Sequence, residues 1–283
     1  MSYHLGIMGK DITSIRILEN SEYEEYNSAV SCLTDFSSDQ QLYAITLLNY
    51  DDFLKVIAEY SEAYDKHPNM VDFQLLEKMT LNINRHIINY LFSVRSFLDL
   101  TEFKLNRVYG DKSAKFTSFK QATAFEYERN FSYRFLYKVR NFSQHCGLPL
   151  GNLSLHSIEE PEFSGKVKNT LVINFNRDIL LKYDGWNNQV AEELRRLPEK
   201  FDIIPHLQNF KKSLDEINLV LINDNIAELT MNADSIERLI APAKGMEGTP
   251  MIFTMTDEVA GRRNMVIHHI PFHLIDYAKK LKK

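Results

Sequence analysis

The chain has 283 residues, 44% of them hydrophobic and 25% charged, with a formal net charge of -5. That is the balance of an ordinary globular protein, long enough for one large domain or two modest ones, and it argues against a disordered or membrane-embedded chain. A net negative charge also gives no global nucleic-acid signal, so any RNA or DNA contact must be local.

The opening residues MSYHLGIMGKDITSIRILEN lack a basic run followed by an apolar core. No later stretch approaches the roughly eighteen apolar residues that a spanning helix needs, so a cytoplasmic protein without membrane contact is expected. Cys32 and Cys146 are far apart in sequence. Without a secretory signal they read as free thiols.

Along residues 12–49, ITSIRILEN and LYAITLLN are rich in β-branched residues and predict brief strands, with TDFSSDQQ as the loop between them. From Asp51 the pattern becomes helical, because DDFLKVIAEYSEAYDK opens on acids that suit a helix N-terminus and closes near His67 and Pro68. Residues 68–110 form the longest periodic run. Leu76, Ile83, Ile87, Tyr90, Val94 and Phe97 recur mostly at three and four, predicting one long helix stopped at Gly110. Its other side carries Arg85, Asn89, Ser96 and Asp99.

Residues 113–145 predict two further helices, AKFTSFKQATAFEYERN and FSYRFLYKVRNFSQH, with Asn130 and Ser132 as cap residues between them and Gly147 and Pro149 as the stop. Beyond Pro149 the chain changes character, which suggests a boundary near 150–168. TLVINFNRD alternates like a strand, and RDILLKYDGWNNQVAEELRRL and FKKSLDEINLVLINDNIAEL have helical spacing. GMEGTPMIFTMTDEVAGRRNMVIHHIPF reads as two short strands before a terminal helix. The expected fold is mainly α with short β elements in the N-terminal and C-terminal segments, divided as 1–50, 51–150 and 151–283.

One motif carries chemistry. Arg140 and Asn141 are followed by His145 just before the helix stop. A histidine titrating near neutrality can take a proton from a ribose 2′-OH or return one to a leaving oxygen, and a guanidinium can fork onto a phosphate. Residues five apart are rotated by about 140° on a regular helix, so convergence requires the last turn to fray or tighten.

Here the chain resembles the HEPN family, whose ribonucleases carry an arginine, a polar residue and a histidine at this spacing near the end of a late bundle helix. The resemblance covers roughly residues 51–150. It implies a HEPN-like helical bundle, a homodimer whose two motifs line one cleft, and metal-independent cleavage of RNA by 2′-OH attack with no cofactor. Arg140 would hold the phosphate, His145 would act as acid or base, and Asn141 would orient one of them or the substrate. Asn89 and Ser93, one turn apart on the long helix, are candidate supporting groups. The family's role in toxin–antitoxin and antiviral defence systems implies an antitoxin or regulatory protein as a further partner. Its inactive members imply the alternative, a noncatalytic module that binds RNA or a protein.

Plainer readings stand beside these. Arg140 can be a solvated helix arginine and His145 a residue favoured by the helix dipole. The same spacing recurs at Arg263, Asn264 and His268, where strand-like alternation sends residues five apart to opposite faces. Cys146 has no evident activating partner. His268, His269, His273 and Asp276 form the densest ligand-like cluster, but Pro271 interrupts it. Arg129, Arg134, Lys138 and Arg140 interleave with Phe131, Tyr133, Phe135 and Tyr137, which suits an RNA-gripping surface. The simpler account packs the rings inward and solvates the cations. Trp186 reads as a core anchor.

Overall fold

The computed structural model describes residues 2–66, 73–159, 167–255 and 265–282. In chain order the elements are β1 (Ser2–Met8), β2 (Ile12–Leu18), α1 (Asn20–Lys66), α2 (Phe73–Tyr109), α3 (Ala114–Arg129), α4 (Phe131–His145), β3 (Leu150–Glu159), β4 (Val167–Asn176), α5 (Arg177–Leu180) and α6 (Asn188–Arg195). They continue with β5 (Lys200–Asp202), α7 (Ile204–Asn223), α8 (Ile226–Ile240), β6 (Thr249–Met255), β7 (Met265–His268) and α9 (Phe272–Lys280). The fold is mainly α with short antiparallel strands, as expected.

Packing separates residues 1–40 and 222–283 from residues 41–221. The expected division points sit inside other features. Residue 50 lies within α1, and Leu150 belongs to the same hydrophobic core as α2, α4 and β4.

In the first unit both ends of the described chain share one antiparallel sheet of order β2-β1-β6-β7. Its β1 pairs with β2 and, about 250 residues later, with β6. Leu5, Leu18 and Ile252 from the sheet pack with Tyr26, Leu33 and Phe36 of α1 and with Ile236 and Ile275 of α8 and α9. The hairpin-like C-terminal strands are therefore not an extension of their own.

The longest departure from the sequence reading is α1, a single helix of 47 residues that runs through the expected loop TDFSSDQQ and the expected strand LYAITLLN, whereas ITSIRILEN is a strand, β2, as expected. Tyr26, Ala29, Leu33 and Phe36, then Thr46, Tyr50, Phe53 and Ile57, are buried at steps of three and four within each set. This buried stripe overrides the weak local preference of LYAITLLN for strand. Its hydroxyl and amide side chains are accommodated by bonding back to the preceding turn, Thr46 Oγ1 to Leu42 O at 3.0 Å and Asn49 Nδ2 to Ile45 O at 3.0 Å.

In the second unit α2 is the central helix, burying Ile83, Ile87, Tyr90, Leu91, Val94 and Phe97. It ends where Gly110 takes a φ of +87°, a left-handed conformation that glycine enters without a Cβ penalty. Ser113 opens α3 by accepting from Phe116 N at 3.2 Å. Asn130 then ends α3 and opens α4, accepting from Ser132 N at 3.0 Å. Ser132 itself lies inside α4 rather than capping it. A three-stranded sheet, β3-β4-β5, carries Leu171, Ile173 and Phe175 into the core, and Trp186 anchors there with Nε1–H donating to Leu180 O at 2.7 Å.

Candidate functional site

The site is set by the antiparallel register of α2 and α4. The Arg95 guanidinium lies 4.5 Å from the Tyr137 ring centre, that of Arg140 lies 4.8 Å from Phe92, and Leu150 N donates to Asn84 Oδ1 at 3.3 Å. Moving down α4 is thus moving up α2. On the core side Phe135, Leu136 and Val139 are fully buried, so the outer side of the last turns of α4 is left to polar residues.

Arg140 is half-buried against Phe92, a cation–π contact, and Nη1 donates to Gln144 Oε1 at 2.6 Å and to Asn141 Oδ1 at 3.3 Å. Its Nε is buried without a hydrogen-bond partner, and Nη2 has none among the described residues. The guanidinium is therefore held in place while one of its terminal nitrogens still has its donors unspent.

His145 is the last residue of α4 and is exposed. The helix keeps its regular hydrogen bond across this turn, Cys146 N–H to Phe142 O at 2.8 Å, and the chain then leaves through Gly147 at φ +138°. The last turn does not tighten or fray to turn the imidazole toward Arg140. At about 100° per residue the two side chains leave the helix about 140° apart, and no hydrogen bond joins them among the described residues. Asn141 is what connects them: it is bonded to Arg140, and His145 lies one turn further on, at i+4, on the neighbouring strip of helix. The motif is a stepped row along α4 rather than one face, with the half-buried asparagine between the half-buried arginine and the exposed histidine.

Of the supporting groups, Asn89 is exposed one turn before Phe92, on the same rim as Arg140. Ser93 gives its hydroxyl to Tyr90 O at 2.8 Å. The sequence reading did not find Phe92 or Gln144, the two residues that fix Arg140. A hydrophobic residue on a core helix and a glutamine in a polar turn carry no signal of their own.

The basic and aromatic residues of α4 divide. Tyr133 and Phe135 are buried, as the simpler account expects. Arg134 is not solvated: it is 4% exposed, ion-paired with Glu193, and donates to Tyr127 O at 2.6 Å and Glu128 O at 2.7 Å. It is a buried clasp between α3, α4 and α6, which removes it from any RNA-gripping surface.

A second pair escaped sequence reading because its members are 74 residues apart. Ser132 Oγ meets His206 Nδ1 at 2.9 Å, and burial lowers the His206 pKa below its ordinary value, with Asp202 opposing. The serine is 4% exposed and the imidazole is packed edge-on by Phe131, Phe135 and Phe201, so the pair pins α4 to α7.

The second arginine–asparagine copy, Arg263 and Asn264, lies outside the described residues, while His268 is on β7, a strand as expected. His268 Nδ1 meets the Tyr23 hydroxyl at 3.3 Å. Among the described residues no three His, Cys, Asp or Glu side chains gather as a metal site. Cys146 is exposed and Cys32 is half-buried, and neither takes part in a disulfide. Among the described residues no helix is long and apolar enough to cross a membrane.

No family model, no curated protein and no solved structure matches the chain. The resemblance to HEPN ribonucleases rests on the motif and its helical setting alone.

Proposed function

We propose that the chain is a metal-independent endoribonuclease of the HEPN type, acting at Arg140, Asn141 and His145. The observation that carries this reading is the row itself. Arg140 is held by Phe92 and Gln144 with Nη2 unspent, Asn141 is bonded to it, and His145 stands exposed one turn beyond. A guanidinium fixed before substrate arrives stabilises phosphate charge without reorganising. An exposed imidazole is within reach of a substrate hydroxyl, as a general acid or base must be. Attack by the 2′-OH on phosphorus breaks the P–O5′ bond, leaves a 2′,3′-cyclic phosphate and returns one proton to the departing 5′ oxygen. DNA lacks the nucleophile.

The divergence of Arg140 and His145 on one helix is met in this reading by a homodimer, in which the histidine of one copy and the arginine of the other face a shared cleft. Cytoplasmic action as a toxin or antiviral effector, restrained by an antitoxin or regulatory protein, belongs to the same proposal. The same divergence favours a second reading, a noncatalytic module that binds RNA or a protein partner along this row.

The test is cleavage of a mixed RNA pool in EDTA by wild type and by folded Arg140→Ala and His145→Ala variants, with product ends analysed and a deoxy substrate as control. Loss of an acid–base group costs about 10²–10⁴-fold in rate. Cyclic-phosphate ends that vanish in both variants support the nuclease, whereas cleavage indifferent to both, or none with RNA still bound, leaves the binding module.

A further inference from the structure

A groove of about 690 Å³ runs between α3 and α7, away from the motif row. On its α3 side lies Glu126, only 2% exposed. One carboxylate oxygen, Oε1, receives Arg129 Nη2 at 2.6 Å, and the other, Oε2, is buried with no hydrogen-bond partner. A carboxylate oxygen taken from water without a donor is a costly arrangement, and it stands out because Asn130 and Arg134, the neighbouring polar residues, are well bonded. The groove also carries Glu216, exposed and without an ion-pair partner among the described residues. Two carboxylates against one guanidinium leave a negative charge unmatched.

The remaining walls define what neutralises it. Ala122, Ile217 and Val220 are apolar and suit a methylene stem. Phe125 is 57% exposed, with the Arg129 guanidinium 4.6 Å from its ring centre on one side. Ser118 and Gln121 add neutral acceptors beside the two acids. An ammonium group offers three donors, matching Glu126, Glu216 and one of these neutral oxygens.

We propose that this groove binds a primary alkylammonium, its head shared by Glu126 and Glu216 and its stem laid along Ala122, Ile217 and Val220. The head joins Arg129 at the Glu126 carboxylate by a turn about χ3, a broad torsion that needs no backbone movement. A primary amine of ordinary basicity, near pH 10.4, is cationic at neutral pH. The ammonium arrives either as a free diamine or polyamine or as a lysine side chain of another protein.

Calorimetric titration of the full chain at pH 7 with butane-1,4-diamine and with Nα-acetyl-lysine N-methylamide tests this, with n-butanol as the uncharged control. Saturable binding of either amine, absent for butanol and weakened about tenfold or more in Glu126→Gln and Glu216→Gln, is the expected result, and the tighter amine identifies the source. Circular dichroism checks that Glu126→Gln folds; if it does not, the surface variant Glu216→Gln decides alone. Failure of both amines to saturate, equal binding of butanol, or affinity unchanged by Glu216→Gln overturns the proposal.

Discussion

Two arginines six residues apart on α4 show how little a side chain's name says about its work. Arg140 keeps a terminal nitrogen unspent on the rim, whereas Arg134 is enclosed with Glu193 and two backbone carbonyls. Removing one partner of a buried pair leaves the other charge and its acceptors unsatisfied, a loss of about 3–5 kcal/mol. Arg134→Met is therefore expected to lower the unfolding free energy measured by urea denaturation by an amount in that range. Arg140→Met, which keeps much of the stem against Phe92, should change it by less than about 1 kcal/mol. Equal effects in denaturation would mean that the two environments are not distinct. The motif arginine was legible from its neighbours Asn141 and His145. The buried one was not, because its partner Glu193 lies 59 residues away and nothing local marks it.

At the scale of elements, the helices from 73 to 145 were legible because hydrophobic period and stop signals agree there: Gly110, Ser113, Asn130 and Gly147 each sit where a helix ends or begins. Asn130 closes one helix, opens the next, and donates to Ser213 Oγ at 2.8 Å on α7. Its replacement by alanine should cost about 1–2 kcal/mol, the upper part of the range for a lost N-cap. The first half of α1 misled because its two signals conflict. TDFSSDQQ is polar and LYAITLL is β-branched, yet Leu33 and Phe36 and then Thr46 and Tyr50 keep helical spacing on either side. A proline at exposed Ser38 separates the readings. In the loop first expected it would be tolerated, whereas within α1 it removes a hydrogen bond and clashes with the preceding turn, costing about 3 kcal/mol or more. Thermal melting of Ser38→Pro that matches wild type would count against a continuous helix.

Across the whole molecule, burial has set the charge state of three histidines in the same direction. His86, His206 and His268 are all pushed below the ordinary value of 6.5, chiefly by desolvation. For His86 the neutral form is also fixed by geometry, since Arg85 Nη2 donates to Nε2 at 2.8 Å and a guanidinium has no lone pair to accept in return. A histidine whose pKa is lowered on folding binds fewer protons folded than unfolded. Its contribution is thus complete above the unfolded value near 6.5 and is lost as pH falls from there through the lower folded values. Glu22, drawn down to about 2 by its hydrogen bonds from the Arg16 guanidinium and the Glu19 backbone, acts with the same sign in a lower window, its share disappearing between 4.5 and about 2. Stability should therefore decline in two stages on acidification, the first from the histidines. The urea midpoint followed from pH 7.5 to 4.8 checks this, with His206→Asn as the variant: it removes the titration of the ring that Phe131, Phe135 and Phe201 enclose, so it should be less stable at pH 7.5 yet lose less on acidification than wild type. Parallel profiles for the two proteins would remove His206 from the acid response and leave the pair it forms with Ser132 a matter of packing alone.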